Sequence, residues 1–358
     1  MEKLRVLSLF SGIGAFEKAL TNIGVSFELV NFCELDKYAI RSYCAIHNVD
    51  ESINLGDITK IDLDILPKGI DLLTHGSPCQ DYSLAGKQAG GDKGSGTRSS
   101  LMWSSVEIIR RVKPKHVIWE NVKGVLSHKN KHNFDKYVED LNDLGYVSSW
   151  KVLNSCDFGV PQNRERVFCI STLGGGEFEF PEIPYIDCKL SDILGADIDK
   201  KYYISPDKYV GLEEKLKKHN QKISYCIDAN YWKGTTPQQF ISKCRRQLIV
   251  ASRGRYDQDG SISQNFKINT TGLTNSITTV QKDNYLLDMR SDISLRKLTP
   301  LECWRLQSFS DDDFYKCAAI GISNTQLYKQ AGNSITVKVL EYIFKELFKQ
   351  YISETIVQ

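Results

Sequence analysis

The sequence predicts an α/β fold in which helices cover both faces of a doubly wound sheet, with a second, smaller domain inserted after it. Short apolar runs that end in turn residues occur at 6–10, 71–75 and 117–119. Such runs are typical of buried parallel strands. The first run continues into a glycine-containing turn at 11–14 and a helical pattern from Phe16. A strand, a glycine turn and a helix form the first half of a Rossmann-like unit.

Further elements follow from apolar spacing and from helix stop signals. Strands are predicted at 27–32 and 167–171, because both runs are apolar and rich in β-branched or aromatic residues. Helices are predicted at 101–111 and 134–144, and the second of these stops at Gly145.

The α/β rhythm breaks after Leu173, where three glycines and two prolines follow. A helix then begins at Pro300, with Thr299 as its N-cap and Glu302 as the capping-box partner. A long amphipathic helix at 335–351 is expected to return to the first domain. The predicted boundaries are 1–184 for the first domain, 185–295 for a loop-rich second domain, 296–325 for a hinge and 326–358 for a segment that completes the first domain.

Length and composition narrow the class of protein. The chain has 358 residues, 41% apolar and 25% charged, which is ordinary for a globular protein of about two domains. No apolar run approaches the roughly 18 residues of a membrane span. The first residues lead directly into a strand, so no signal peptide is expected. Ten cysteines without a C-x-x-C pair argue against a zinc site or a disulfide framework and favour a reducing cytoplasm.

Cys79 stands where an α/β sheet places its chemistry. It follows the predicted strand 71–75 and the turn residues Gly76 and Pro78, and open α/β sheets bind ligands at the carboxyl ends of strands. A free cysteine is more often an inert core residue, but the polar, glycine-rich loop at 84–100 is unsuited to bury this one. We interpret that loop as a lid beside a nucleophile, with plain disorder as the alternative.

The glycine turn and the acidic residues after it suggest a nucleotide-like ligand. Gly12 and Gly14 permit close approach to the backbone, and Glu34 follows about 20 residues later, where an acid can bind ribose hydroxyls. Asp57 supplies an acceptor for an adenine amino group. Two glycines alone are a weak signal for a nucleotide-binding turn. An NAD-dependent dehydrogenase on a similar sheet is an alternative, but its turn would carry a third glycine.

Basic residues are concentrated in one region. The net charge is only +2, but residues 201–255 hold 12 Lys/Arg against 4 Asp/Glu, which leaves +8 there and −6 elsewhere. Aromatic residues are interleaved with these cations, which suits a surface that contacts phosphates. A solvated, lysine-rich face is the alternative that charge alone leaves open.

Six stretches occur in the order found in the C5-cytosine DNA methyltransferases, and the chain resembles that family over essentially its whole length. The stretches are LFSGIGAF, GSPCQDYS, WENVKGV, VPQNRERVF, RKLTPLECWRLQSF and QAGNSI. The family's variable target-recognition region would occupy about 180–295. Ser8 replaces the family's usual acid, and Ser308 and Ser310 replace its Gly and Pro. These departures leave the turn after the helix in doubt, but they touch no reacting group.

The resemblance assigns the reaction to four residues. Cys79 would add as a thiolate to C6 of cytosine, which makes C5 nucleophilic toward a methyl group. Glu120, protonated or sharing a proton with N3, would hold N3 and the amino group, a role that needs a raised carboxyl pKa. Arg164 and Arg166 would supply the electropositive setting that a thiolate requires, and Arg166 would also approach the base O2. Asn121 is expected to orient the strand end rather than to react.

The methyl donor that the resemblance implies is S-adenosylmethionine, with S-adenosylhomocysteine as the product and no metal. Phe10 would stack on the adenine, Glu34 would bind the ribose, and Asp57 would bind the adenine edge. The full set of expected donor contacts is Phe10, Gly12, Ile13, Gly14, Glu34, Leu35, Asp57, Ile58, Pro78, Leu101, Asn333 and Ser334.

The substrate implied is double-stranded DNA, from which the target cytosine must be flipped out because it cannot be reached inside the duplex. The loop at 84–100 resembles the family's mobile loop that closes over the base, with Ser83 near the target phosphate. Specificity would come from the second domain in the major groove. The residues expected to contact DNA are Gln80, Ser83, Gln162, Lys217, Lys218, Arg245, Arg246, Arg253 and Arg255.

Two related alternatives keep the same fold. A tRNA cytosine-5 methyltransferase would keep the chemistry and change the substrate, although the large basic region fits duplex DNA better. A catalytically inactive DNA-binding relative is opposed by the intact Cys79, Glu120 and both arginines.

We expect a cytoplasmic, monomeric enzyme of a restriction-modification system or of phage DNA protection. The sequence leaves open whether a cognate restriction endonuclease is encoded nearby and which DNA sequence is recognised.

Overall fold

The fold is built on a six-stranded sheet. The computed structural model describes residues 3–78, 82, 90–183, 186, 188–203, 248–256, 262–269, 274–275, 285–288 and 294–352. The six strands lie in the spatial order β2-β1-β3-β4-β7-β5. The strands of the described chain are β1 (Leu4–Leu9), β2 (Phe27–Cys33), β3 (Leu72–His75), β4 (His116–Val122), β5 (Tyr146–Asn154), β6 (Gln162–Asn163), β7 (Glu165–Leu173), β8 (Leu248–Tyr256), β9 (Ile262–Asn269), β10 (Thr274–Asn275), β11 (Tyr285–Asp288) and β12 (Ser294–Lys297).

The first four strands of the sheet run parallel, β7 runs against them, and the edge strand β5 again runs in their direction. β1 pairs in parallel with β2 and β3, and β3 pairs in parallel with β4. β7 is antiparallel to both β4 and β5. The predicted strands are confirmed, whereas β5 was not predicted. It forms an edge of the sheet and has a mostly half-exposed pattern, so it lacks the continuous apolar run of a central strand.

Helices cover both faces of the sheet and enclose two cores. Along β1, Leu4 and Val6 belong to one core and Leu7 and Leu9 to the other, so the sheet separates two apolar layers. This confirms the doubly wound α/β class. The helices of the described chain are α1 (Ala15–Asn22), α2 (Lys37–His47), α3 (Met102–Val112), α4 (Lys131–Asp143), α5 (Pro300–Arg305), α6 (Asp311–Ala319), α7 (Asn324–Asn333) and α8 (Val337–Leu347).

The last helix packs against the first. The rings of Phe16 on α1 and Phe344 on α8 have their centroids 6.4 Å apart, and the amide of Asn22 donates to Glu341 Oε1 at 2.7 Å. α8 is shorter than the helix predicted at 335–351, because the chain leaves the helix at Phe348 before a short turn at Lys349–Tyr351.

The helix that begins at Pro300 has the predicted cap, and the turn after it is well formed. Thr299 and Glu302 make the reciprocal capping-box bonds. α5 ends at Arg305, and Ser308 then adopts a left-handed conformation with φ of 62°, where the family's glycine would be unstrained. Ser310 caps α6 through Asp313. The two serines therefore preserve the turn, at the cost of strain at Ser308.

A four-stranded antiparallel sheet accounts for most of the described part of residues 248–297. Its order is β12-β11-β8-β9. β10, which also lies in this range, pairs in parallel with β6 instead. Antiparallel pairing explains why the region showed no strand–helix alternation, since hairpin connections do not require crossover helices.

A buried ion pair anchors the start of α5. Arg296 and Glu302 are 0% and 1% exposed, and the guanidinium donates to both carboxylate oxygens, at 2.8 and 2.9 Å. The same carboxylate also accepts the backbone N–H groups of Thr299, at 2.7 Å, and Gly195, at 3.0 Å. Glu302 thus ties β12 and the start of α5 to the distant Gly195, whereas the sequence predicted for it only a role in the helix cap.

The second half of the polar loop at 84–100 is anchored to the fold, although its composition is polar and rich in glycine. Gly91 O accepts the indole N–H of Trp103 at 2.8 Å, and Ser99 is completely buried. Asp92 accepts a hydrogen bond from Asn133 on α4 at 2.8 Å. Residues 84–89, on which the lid prediction also depends, lie outside the described residues.

Glu17 is a fully buried carboxyl group on α1. Within the described chain, neither carboxylate oxygen has a hydrogen-bond partner. Burial raises the pKa of Glu17, and the nearby hydroxyls of Ser8 and Tyr43 only partly oppose the rise. Folding therefore favours the neutral acid at this position.

We expect this buried acid to make wild-type stability fall as pH increases. An acid whose pKa is raised by folding binds its proton more tightly in the native state. The free energy of unfolding therefore decreases as pH rises above the ordinary pKa of 4.5, by at most about 1.4 kcal/mol per pH unit. Glu17→Gln removes this titration and keeps the shape. Melting curves of both proteins should diverge as pH rises, and parallel curves would show that Glu17 stays ionised in the fold.

Candidate active site

The carboxyl ends of three neighbouring strands lie side by side. Leu9 is the register partner of His75, and His75 is the partner of Trp119. The residue after His75, Gly76, is therefore next to Glu120. A Cβ atom added to Gly76 would lie 3.6 Å from Glu120 Oε2, so the carboxyl group sits against the turn that leads to Cys79.

Glu120 and Arg166 form an ion pair at this edge. Arg166 is opposite Val122 in the β4–β7 ladder, which places Arg166 and Glu120 diagonally on the same face. Arg166 Nε lies 3.1 Å from Glu120 Oε1, and the two side chains are 17% and 11% exposed. Burial raises the pKa of Glu120, while the positive charges of Arg166 and Arg164 oppose the rise. Glu120 is therefore protonated more readily than a free glutamate, as its expected role requires.

Arg164 is buried and binds the end of α7 and the residue that follows this helix. Its Nη2 donates to Gly332 O at 3.1 Å and to Ser334 O at 2.6 Å. Its charge still acts on Glu120. The structure therefore gives Arg164 an anchoring contact that the sequence did not predict, and its direct participation in catalysis stays a prediction.

The loop after β3 is tied to β4. Asn121 Nδ2 donates to Ser77 O at 3.2 Å, and Trp119 Nε1 donates to Ser77 Oγ at 3.0 Å. Asn121 thus holds the loop against the end of β4. The bond from Trp119 was not predicted, because an apolar run such as 117–119 indicates only a buried strand. Pro78 is half-buried. Three predicted site residues that come after it lie outside the described chain: Cys79, Gln80 and Ser83.

The turn after β1 forms an open cradle. Phe10 has a φ of 52°, which is rare for a bulky residue and typical of functional sites. A Cβ at Gly12 would meet no atom of the described chain within 4 Å, whereas a Cβ at Gly14 would lie 1.9 Å from His47 Nε2. Space for a ligand therefore exists at Gly12, and Gly14 is required by its contact with His47. Ile13 is buried beneath this turn, and its carbonyl oxygen lies 3.1 Å from His47 Nε2.

The acidic residues expected to bind the donor border the cradle. Glu34 accepts the backbone N–H of Gly12 at 2.9 Å and that of Leu35 at 2.8 Å. Leu35 itself is 70% exposed. Asp57 accepts the N–H and hydroxyl of Thr59, at 3.0 and 2.8 Å, and these bonds lower the pKa of Asp57. Ile58 beside it is buried. The structure therefore brings Glu34 directly to the glycine turn.

The segment after α7 reaches the same edge of the sheet. Ser334 is buried, Asn333 is exposed and Leu101 is half-buried. Ile335 Cδ1 would lie 3.6 Å from a Cβ at Gly76, so this side chain contacts the turn before Cys79. Sequence reasoning missed Ile335, although it is the last residue of the QAGNSI stretch.

The residues expected to contact DNA are only partly described. Gln162 is fully buried and its amide donates to Leu306 O at 2.7 Å, so its side chain is engaged inside the protein, and a DNA contact would require that bond to open. Arg253 and Arg255 lie on β8, opposite Asn265 and Ser263 of β9. The remaining candidates lie outside the described residues: Lys217, Lys218, Arg245 and Arg246.

Several described cysteines are disfavoured as nucleophiles. Burial raises the pKa of Cys33 to about 12 and that of Cys169 to about 12. The pKa values of Cys156 and Cys317 are each raised to about 11, mainly by burial. These thiols stay protonated at neutral pH and are therefore poor nucleophiles.

The fold and the site define a doubly wound α/β enzyme, with an open cradle after β1 and a buried carboxyl–guanidinium pair after β4. The sequence profile described as C-5 cytosine-specific DNA methylase matches residues 4–349, and the chain belongs to this family of DNA (cytosine-5-)-methyltransferases. In the described part of the chain, no helix has the length and apolarity to cross a bilayer, and no cluster of His, Cys, Asp or Glu side chains could hold a metal ion.

Individual relatives match along the whole chain. The orphan methyltransferase M.SPRI of Bacillus phage SPR is 35% identical, and the match covers 99% of both chains. The type II methyltransferase M2.ScrFI of Lactococcus lactis subsp. cremoris is 36% identical over 97% of this chain and 99% of its own. The crystal structure of the S. pombe Dnmt2 methyltransferase has a TM-score of 0.63 at 19% identity, covering 98% of this chain and 99% of that one. That last likeness concerns the fold alone.

Proposed function

We propose that this enzyme methylates C5 of a flipped-out cytosine in a specific duplex DNA sequence, with S-adenosylmethionine as donor and Cys79 as covalent nucleophile. The observation that carries the proposal is the buried Glu120–Arg166 pair, 3.1 Å between Oε1 and Nε, against the turn that leads to Cys79. This pair supplies a proton-sharing carboxyl and a fixed positive charge at one point of the sheet edge.

Each residue at the edge has a distinct task. The Cys79 thiolate forms a bond to C6, the electron pair of the C5–C6 double bond shifts to C4–C5, and the C4–N3 pair moves onto N3. The product is an enamine whose C5 is nucleophilic toward a methyl group. Glu120 shares its proton with N3, which stabilises the charge that develops there. Arg166 stabilises the carboxylate form of Glu120 and can approach the base O2. Once C5 carries the methyl group, its proton passes to water and the Cys79 thiolate leaves C6, which restores the C5–C6 double bond, and N3 returns its proton to Glu120.

S-adenosylmethionine fits the cradle after β1 and β2. The open space at Gly12, the strained Phe10 and the carboxylate of Glu34 converge there. Phe10 would stack on the adenine. Glu34 would bind the ribose after the ribose hydroxyls replace the backbone N–H groups that its carboxylate accepts here. Bound there, the donor supplies an electrophilic methyl group. The missing third glycine is consistent with this ligand, because it has no pyrophosphate to accommodate.

We expect Glu34→Ala and Asp57→Ala each to weaken S-adenosylmethionine binding by about tenfold or more, because each leaves a donor of the ligand unpaired. Titration calorimetry measures this directly. Asp62→Ala is the matched control, since Asp62 caps the next short helical turn as Asp57 caps its own, yet is not expected to touch the donor. Unchanged affinity in both variants would mean that the pocket is misplaced.

Residues 185–295 are proposed as the target-recognition domain. If the excess positive charge of residues 201–255 faces DNA, log affinity should fall with log salt, and each phosphate contact should contribute about 0.9 to the slope. Lys217→Ala with Lys218→Ala should flatten the slope by up to about 2 and weaken binding to all sequences alike.

Lys345→Ala with Lys349→Ala, near the end of the chain, is the charge-matched control for this salt titration. A double Lys217/Lys218 variant that binds like wild type would identify the basic cluster as a solvated face. The specificity determinants would then lie in residues 256–280. Arg245, Arg246, Arg253 and Arg255 are the candidates for guanine readers, and loss of a true reader should cost about 1–3 kcal/mol on the cognate site only.

The function is tested by incubating the pure enzyme with labelled S-adenosylmethionine and either duplex DNA or tRNA. We expect label in DNA, as 5-methylcytosine, with little in tRNA. Label confined to tRNA would replace DNA with tRNA as the substrate. Two relatives are named as an orphan and a type II methyltransferase, which supports a role in phage or restriction-modification DNA methylation. We further propose that the enzyme acts in the cytoplasm as a monomer.

A further inference from the structure

Ser77 is held by two donors at once. It lies between Gly76 and Pro78 and is 3% exposed. Its hydroxyl accepts the indole N–H of Trp119 at 3.0 Å and the side-chain amide of Asn121 at 3.3 Å. Its carbonyl accepts the same amide at 3.2 Å. A residue two positions before Cys79 is thus fixed by three contacts from one strand.

The two donors flank Glu120 on β4. Successive side chains of a strand point to opposite faces, so Trp119 and Asn121 hold Ser77 from one side while Glu120 faces the other. The register of this strand therefore sets two positions together: that of the carboxyl group and that of the turn leading to Cys79.

Both donors are rigid. Trp119 is 0% exposed and packs against the rings of His75, Phe134 and Tyr137, with centroid separations of 6.1, 5.7 and 4.6 Å. Asn121 is 1% exposed, and its Oδ1 accepts the N–H of Val122 at 2.8 Å. That bond fixes which end of the amide donates to Ser77. The contacts to Ser77 are therefore buried and directional.

We propose that Ser77 is a positioning residue whose hydroxyl, held by Trp119 and Asn121, sets the distance between the nucleophile loop and Glu120. The inference rests on the proposed function of Cys79. The thiol must reach C6 of the same base whose N3 meets Glu120, and a misplacement of about 1 Å in such a geometry can cost about 100-fold in rate.

The test is the rate of covalent trapping on DNA that contains 5-fluorocytosine, measured under single-turnover conditions. Ser77→Ala should slow adduct formation by at least about tenfold, with S-adenosylmethionine affinity and melting temperature close to wild type. Ser105→Ala is the matched control, because Ser105 is also fully buried but its hydroxyl has no hydrogen-bond partner within the described chain. Its adduct rate should equal that of wild type.

Trp119→Phe removes one donor, keeps an aromatic side chain and should slow trapping in the same way. The double variant with Ser77→Ala should be no slower than Ser77→Ala alone, because both remove the same bond. If Ser77→Ala does not fold, Trp119→Phe carries the comparison.

Three outcomes contradict the proposal in distinguishable ways. If wild type forms no adduct, the proposed function fails and this inference falls with it. If wild type is trapped and Ser77→Ala is trapped equally fast, only the inference is overturned. If trapping slows in parallel with donor affinity and melting temperature, the hydroxyl is merely structural and does not position the nucleophile.

Discussion

Cys79→Ser should abolish methyl transfer, lowering turnover by at least about three orders of magnitude, while DNA binding is largely retained. In the proposed mechanism the thiol acts only in the covalent step, and removal of a nucleophile typically eliminates most of the rate enhancement. A serine hydroxyl at the same position ionises far less readily than a thiol. The measurement is transfer of label from S-adenosylmethionine to DNA, with binding followed in parallel.

Wild type should also form a denaturation-resistant adduct with 5-fluorocytosine DNA, because fluorine at C5 cannot leave as a proton. Cys156→Ser is the control: burial and the neighbouring Asp157 raise the pKa of the Cys156 thiol to about 11, so this variant should keep full activity. More than trace turnover in Cys79→Ser, or no adduct with wild type, would exclude Cys79 as the nucleophile.

Glu302→Ala should destabilise the fold by about 3–5 kcal/mol, the usual effect of removing one partner from a buried ion pair. The substitution leaves the guanidinium of Arg296, which is 0% exposed, without its countercharge. It also removes the acceptor for Thr299 and Gly195 N–H groups. Chemical denaturation measures the loss.

Asp135→Ala is the matched control for this second experiment. Asp135 pairs with Lys131 across one turn of α4, but the two side chains are 54% and 51% exposed. Such pairs contribute about 0.3–0.5 kcal/mol. An equally small effect of Glu302→Ala would show that solvent reaches Arg296 and that the pair does not hold β12 to α5.

Local patterns in the sequence determined much of the sheet. β1, β3 and β4 were recognisable because strands buried on both faces are continuously apolar, and α5 because its capping residues are local. The motif order led to the family and to Glu120, Arg166 and Glu34 as expected site residues. Glu120 and Glu34 lie at the carboxyl ends of parallel strands, which share one edge of the sheet, whereas Arg166 reaches that edge from the start of the antiparallel β7.

Tertiary structure decided what depends on contacts between distant segments. β5 is half-exposed, so its strand character comes from pairing with β7 rather than from an apolar run. The need for glycine at position 14 comes from His47, which is 33 residues away in sequence. Arg164 reads as a catalytic cation, yet its described bonds go to the carbonyls of Gly332 and Ser334.

The residue types along this chain were enough to determine the fold class and the order of the chemical motifs, because each depends on local pattern, and they predict Cys79 as the nucleophile. The burial that raises the pKa of Glu120, the hold of Trp119 and Asn121 on Ser77, and the enclosure of Arg296 with Glu302 were decided by tertiary structure alone. Desolvation and hydrogen-bond geometry are properties of the packed neighbourhood, and no local spacing encodes them.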